Sequence, residues 1–164
     1  MLVQALRRWT HVVACVFAFN MSRVIPKFAK RVALLVEDYT DSREMLRFLL
    51  QGLHWHVLES GDGSEAIKLA TTYQPTLIIT DLNLPGIDGI QLVRELRRSD
   101  HWLKIVPIIM LTAIDEETSR HSALAAGVNR FFTKPVNFEL LELAISELVQ
   151  ETSLQEENGT NSLN

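Results

Sequence analysis

The 164-residue chain is the size of one ordinary domain, and its 47% apolar content supports a packed core, which excludes wholesale disorder. A formal net charge of −4 argues against a protein whose main task is coating nucleic acid or an anionic membrane. The single cysteine, Cys15, excludes an internal disulfide framework and a multi-cysteine metal site, and it fits a reduced, cytoplasmic setting.

Residues 1–30 read as a non-core N-terminal extension. Arg7 and Arg8 precede an apolar stretch over 12–19, shorter than the roughly 20 residues a membrane span needs. Val12-Val13-Ala14-Cys15 has the outline of a lipoprotein cleavage box, but Trp9, Thr10 and His11 interrupt the apolar run that should precede it. The plainer reading is a leader without function, with Met21 as a sensible start. The domain proper is expected over 31–149, and the polar, unpatterned residues 150–164 as a flexible tail.

Within the domain, short apolar runs alternate with amphipathic segments. Val32–Val36 is a continuous apolar run, as in a strand covered on both faces. A helix follows with Met45, Leu46, Leu49, Leu50 and Leu53 at helical spacing, and Asp41 with Glu44 resembles a capping box at its start. A weak strand over 56–59 and a short helix marked by Ala66, Ile67 and Ala70 come next. A third strand over 76–80 ends at Asp81. Leu84-Pro85-Gly86-Ile87-Asp88-Gly89 is turn chemistry, and Leu92, Val93 and Leu96 mark the inward side of the next helix. The fourth strand is expected over 105–111 with Pro107 near its start, and a helix over 116–126 closes at Gly127. Arg130–Thr133 is a fifth strand; Asn137 caps a last helix carrying Leu140, Leu141, Ala144 and Leu148. Five strand–helix repeats predict an α/β fold, a doubly wound parallel sheet with right-handed crossovers.

In such sheets function gathers beyond the carboxyl ends of the strands. Those ends hold Glu37 and Asp38, Asp81, Thr112 and Lys134-Pro135. Singly, each has a bland explanation as a cap, a turn or a loop opening. Their convergence on one edge does not. Two carboxylates about 4 Å apart repel by roughly 4 kcal/mol at an effective dielectric near 20, so three need a cation among them or raised pKa values. Glu37, Asp38 and Asp81 suit Mg²⁺, a hard ion that takes oxygen ligands and keeps several waters. The spacing favours a metal-assisted phosphoryl site.

Leu35-Val36-Glu37-Asp38, Thr80-Asp81-Leu82-Asn83-Leu84-Pro85-Gly86-Ile87-Asp88-Gly89, Met110-Leu111-Thr112-Ala113 and Phe131-Phe132-Thr133-Lys134-Pro135 resemble, in this order, the receiver domains of two-component response regulators. The resemblance implies a flavodoxin-like strand order 2-1-3-4-5 and a phosphoryl group passed from a histidine kinase or histidine phosphotransfer protein to Asp81. It implies Mg²⁺ held by Asp38, Asp81 and the Asn83 carbonyl, with Glu37 acting through water. Lys134 would pair with a phosphoryl oxygen, Thr112 would donate to another, and the Lys134–Pro135 bond would be cis. Thr112 and Phe131 would form a conformational switch, although Phe131 also reads as simple core, and Phe132 should face the other side. The fourth helix, fifth strand and fifth helix would present the surface a downstream protein reads. Ile114 is expected to shield the acyl phosphate.

Three other readings compete. An aspartate-nucleophile phosphatase of the haloacid dehalogenase type needs an acid two residues after the nucleophile, where Asn83 stands. A degenerate receiver would have lost the acids, the acceptor or the lysine, and all are present. A nucleotide site would want a glycine-rich loop after the first strand, where Glu37-Asp38-Tyr39-Thr40 is anionic. The expectation is therefore a phosphoacceptor signalling domain, not a conventional enzyme, standing alone without a DNA-binding output domain. It would bind neither nucleic acid nor membrane directly.

Overall fold

The computed structural model describes residues 31–99, 101–113 and 117–160. The expectations for residues 1–30, Met21 included, and for Ile114 lie outside the described residues.

Strands and helices alternate: β1 Val32–Val36, α1 Thr40–Gly52, β2 His56–Ser60, α2 Gly63–Tyr73, β3 Leu77–Asp81, α3 Gly89–Arg98, a short 3-10 turn His101–Lys104, β4 Ile108–Thr112, α4 Glu117–Ala126, β5 Arg130–Thr133 and α5 Phe138–Thr160. All strand pairs are parallel, in the order β2-β1-β3-β4-β5. This is the doubly wound order the resemblance implies. Every residue of β1, β3 and β4 is buried, which explains their unbroken apolar runs, whereas β2 and β5 lie at the edges and keep exposed positions.

The sheet separates two apolar layers. One gathers Leu34, Ile78, Met110 and Phe131 with Ala66, Leu92, Leu96 and Ala123 from α2, α3 and α4. The other gathers Leu35, Ile79 and Leu111 with Leu46 and Leu50 of α1 and Leu141, Ile145 and Leu148 of α5. Strand alternation puts Phe131 in the first layer and Phe132 against the second.

Three boundaries differ from expectation. Helix α1 begins after Tyr39 without a side-chain cap, so Asp41 and Glu44 do not form a capping box; Asp41 instead accepts from the Tyr39 hydroxyl at 3.2 Å. Strand β4 starts at Ile108, because the preceding residues form the 3-10 turn and a loop gripped by Arg97, which donates to the Leu103 and Val106 carbonyls at 2.6 and 2.8 Å. Helix α5 continues to Thr160, through residues 150–160 of the span expected as a tail. Glutamates, glutamines and Leu154 over 150–157 are good helix formers with no glycine or proline among them. Arg130 also reaches Glu147 and Glu151 at 3.6 and 3.7 Å, one helical turn apart. Asn137 caps α5 as expected, its Oδ1 accepting from the Leu140 N–H at 3.1 Å.

Candidate active site

The carboxyl ends of β1, β3, β4 and β5 assemble the site. Beyond β1, the Glu37 N–H donates to the Ser60 carbonyl at 3.0 Å, which holds the start of the loop against β2. Glu37 is 1% exposed and Asp38 is exposed, so one acid is sealed in and its neighbour faces water. Asp81 closes β3 at 7% exposure.

The turn after Asp81 is tightly specified. The Asn83 N–H donates to Asp81 Oδ1 at 2.9 Å, fixing one carboxylate oxygen. Gly86 has φ +80°, a left-handed conformation that favours glycine. Asp88 caps α3 by accepting from the Gln91 N–H at 2.8 Å. At Gly89 an added Cβ would lie 2.2 Å from the Asp81 carbonyl oxygen. The helix can approach the acid only because that position has no side chain.

From β5, the Lys134 N–H donates to the Thr112 carbonyl at 2.7 Å, and the Lys134–Pro135 bond is cis. The Lys134 ammonium contacts Glu37 Oε2 at 2.7 Å and also Asp81 Oδ2. Lys134 thus joins two acids that precede it in the chain by 97 and 53 positions. Burial pushes the Glu37 carboxyl above its ordinary range; the lysine opposes that shift, and Asp81 and Asp38 reinforce it. For Lys134, burial pulls downward, but the bonds to Asp81 and Glu37 outweigh it and hold the ammonium above its ordinary value.

Carboxylate oxygens of Glu37, Asp38 and Asp81 lie within 4.8 Å of one another. Three hard oxygen donors, one of them open to solvent, fit a divalent cation of the Mg²⁺ kind. The structure therefore brings together Glu37, Asp38, Asp81 and Lys134. Thr112, wholly buried, ends β4 one position past the Asp81–Leu111 pairing. Phe131 packs in the core beneath at 9% exposure, with the Arg120 guanidinium 5.9 Å from its ring centroid.

The sequence reading missed Arg43. Its guanidinium donates to the Glu37 carbonyl at 2.7 Å and the Asp38 carbonyl at 3.3 Å. The available signal was a cation in the first turns of α1, where the helix dipole disfavours positive charge and some other partner is needed.

The family model described as the response regulator receiver domain matches residues 33–146. Among curated proteins, the chain is 37% identical over 102 residues to the alkaline phosphatase synthesis transcriptional regulatory protein PhoP of Bacillus subtilis, covering 62% of this chain and 41% of that one. It is 40% identical over 102 residues to the KDP operon transcriptional regulatory protein KdpE of Escherichia coli, covering 62% and 44%. The chain spans about half the length, or less, of the transcriptional regulators it matches. Among solved structures, the chemotaxis response regulator CheY4 of Vibrio cholerae aligns with a TM-score of 0.68 at 28% identity, covering 73% of this chain and 99% of that one. The receiver domain of the sensor histidine kinase PA1611 from Pseudomonas aeruginosa, which has a magnesium ion coordinated in its active-site cleft, aligns with a TM-score of 0.68 at 30% identity, covering 74% and 98%.

Proposed function

The chain belongs to the response regulator receiver domain family, and from that premise we propose that Asp81 accepts a phosphoryl group from a phosphohistidine on a partner protein. The observation that carries this reading is the buried strand-end carboxylate of Asp81 bonded to the Lys134 ammonium, with Glu37 and Asp38 within reach of the same point.

An Asp81 carboxylate oxygen attacks phosphorus. A P–O bond forms as the donor P–N bond breaks, and the leaving imidazole takes up a proton, giving an aspartyl phosphate. The Asn83 N–H keeps Oδ1 in place, which orients the other oxygen. Lys134 is the group that moves: its ammonium passes from the Asp81 carboxylate to a phosphoryl oxygen. Thr112 donates to another. Asp38, Asp81 and the Asn83 carbonyl would hold Mg²⁺, with Glu37 acting through water, and the ion would supply neutralisation of phosphoryl charge. The chain assists its own phosphorylation and dephosphorylation without turning over a free substrate.

The output is a shift of Thr112 toward the phosphoryl group, with Phe131 filling the vacated space, read by a protein partner on α4, β5 and α5. A phosphoryl group adds about −2 charge and strong acceptor oxygens, enough to bias such a switch. Among the described residues no helix is long and apolar enough to cross a membrane. We place the protein in the cytoplasm, where its kinase or phosphotransfer donor meets it.

Incubation with acetyl phosphate and Mg²⁺, followed by intact mass, tests the assignment. Wild type should gain one phosphoryl group and Asp81→Asn none. Stoichiometric labelling of that variant would remove Asp81 from the role.

A further inference from the structure

Arg43 is the strongest polar feature near the site that the reaction itself does not use. It stands in the first turns of α1, a helix with no side-chain cap at Tyr39. One guanidinium nitrogen serves both loop carbonyls, Glu37 O at 2.7 Å and Asp38 O at 3.3 Å. Its Nε faces Glu59 of β2 at 3.7 Å, and Glu59 is also held by Arg47 at 3.4 Å. Gly61 completes the slot: a Cβ there would lie 3.5 Å from the Arg43 guanidinium and 3.9 Å from the Asp38 Cα. The loop carrying two of the three acids is thus clamped from behind, by a cation that touches none of the clustered carboxylates.

We propose that Arg43 is a positioning residue for the cation site, fixing the Glu37 and Asp38 backbone so that their carboxylates converge with Asp81. The inference rests on the reading of that cluster as a Mg²⁺ site. Without the clamp, the Glu37 and Asp38 carbonyls lose their guanidinium donor, and the loop is free to carry the water-facing Asp38 carboxylate away from Asp81. The cost falls on cation affinity. The phosphoryl-transfer rate at saturating Mg²⁺ is largely spared, since the bound cation restores the loop. Groups that orient metal ligands in this indirect way typically matter by roughly 10–100-fold in affinity.

The test is a Mg²⁺ titration of the full chain, followed by amide NMR shifts of the Glu37–Asp38 loop, alongside acetyl phosphate labelling rates at saturating Mg²⁺. Arg43→Ala should weaken Mg²⁺ binding about tenfold while its saturated labelling rate stays within about twofold of wild type. Arg43→Lys, whose ammonium can stand in for the one nitrogen that serves both carbonyls but not for the Nε facing Glu59, should recover part of the affinity. Arg47→Ala, which removes the other partner of Glu59 and leaves the loop carbonyls bonded, should bind Mg²⁺ as wild type does. Unchanged affinity in Arg43→Ala overturns the proposal, as does an equal loss in Arg47→Ala, which would signal general damage to α1. Should Arg43→Ala not fold, Arg43→Met decides, since it keeps an apolar stem but donates to neither carbonyl: wild-type Mg²⁺ affinity in that variant overturns the clamp. A wild-type chain that binds no Mg²⁺ overturns both this proposal and the cation-site reading beneath it; normal wild-type binding with indifferent variants overturns the clamp only.

Discussion

At the scale of single residues, the site is a problem of buried charge solved by one lysine. Lys134 joins Glu37 and Asp81, so its replacement by alanine leaves a fully buried carboxylate facing another without a cation between them. Lys134→Ala should still bind Mg²⁺, because the three acids remain, yet phosphorylation should no longer raise affinity for the downstream partner. Partner affinity that rises equally in the variant and the wild type would show the lysine to be dispensable. The pH dependence follows from the two shifts. Lys134 is held above its ordinary value by its partners, so its stabilising contribution is complete below the ordinary lysine range and is lost as pH rises through the elevated folded value. Glu37 is raised chiefly by burial, so the folded state retains its proton longer and stability falls as pH climbs past the ordinary carboxylate range. In metal-free buffer, Glu37→Gln should therefore melt above wild type at neutral pH, with the gap closing as both are taken below pH ~4. A gap that persists unchanged at acid pH would point to packing instead. At Gly89, a methyl group would drive into the Asp81 carbonyl, and Gly89→Ala should cost about 1–3 kcal/mol in urea unfolding.

The strand ends were legible because their residue types have few other reasons to share an edge. The acids, Asp81, Thr112 and Lys134 could be placed from β-strand endings alone. Arg43 could not, because its partners are main-chain carbonyls, which carry no signature in a sequence.

Among the elements, the buried strands were the easiest to read and the boundaries the hardest. Uniform burial gives β1, β3 and β4 an unmistakable apolar run. Ile105 looked like a strand residue by composition but is 44% exposed, since Arg97 draws the chain before β4 into a turn through tertiary bonds that no local pattern encodes. The start of α1 misled in the opposite way: Asp41 and Glu44 had the spacing of a cap, while the loop there is held by Arg43. Helix α5 outruns its apolar stripe because helix-forming residues and the Arg130 ion pairs continue it after Leu148. Its cap makes a testable element. Asn137→Ala removes the acceptor for the Leu140 N–H and should lower stability by about 1 kcal/mol in chemical denaturation. No change would mean that packing of Leu141, Ile145 and Leu148 alone sets where the helix begins.

Across the whole molecule, one side chain ties together several segments at the edge opposite the acids. Arg97 donates to the Leu103, Val106 and Gly127 carbonyls and to Asn129 Oδ1, and the Asn129 oxygen also accepts from the Ile108 N–H. Burial draws its pKa down to about 10, which leaves it charged at neutral pH. The lower end of α4 is thereby anchored through Gly127. Those bonds make the floor of the sheet a fixed point for α4. On the proposed phosphoryl reading, a pull arriving from Thr112 would swing the helix about that point rather than slide it, and the displacement would be largest far from it, where a visiting protein would feel it first.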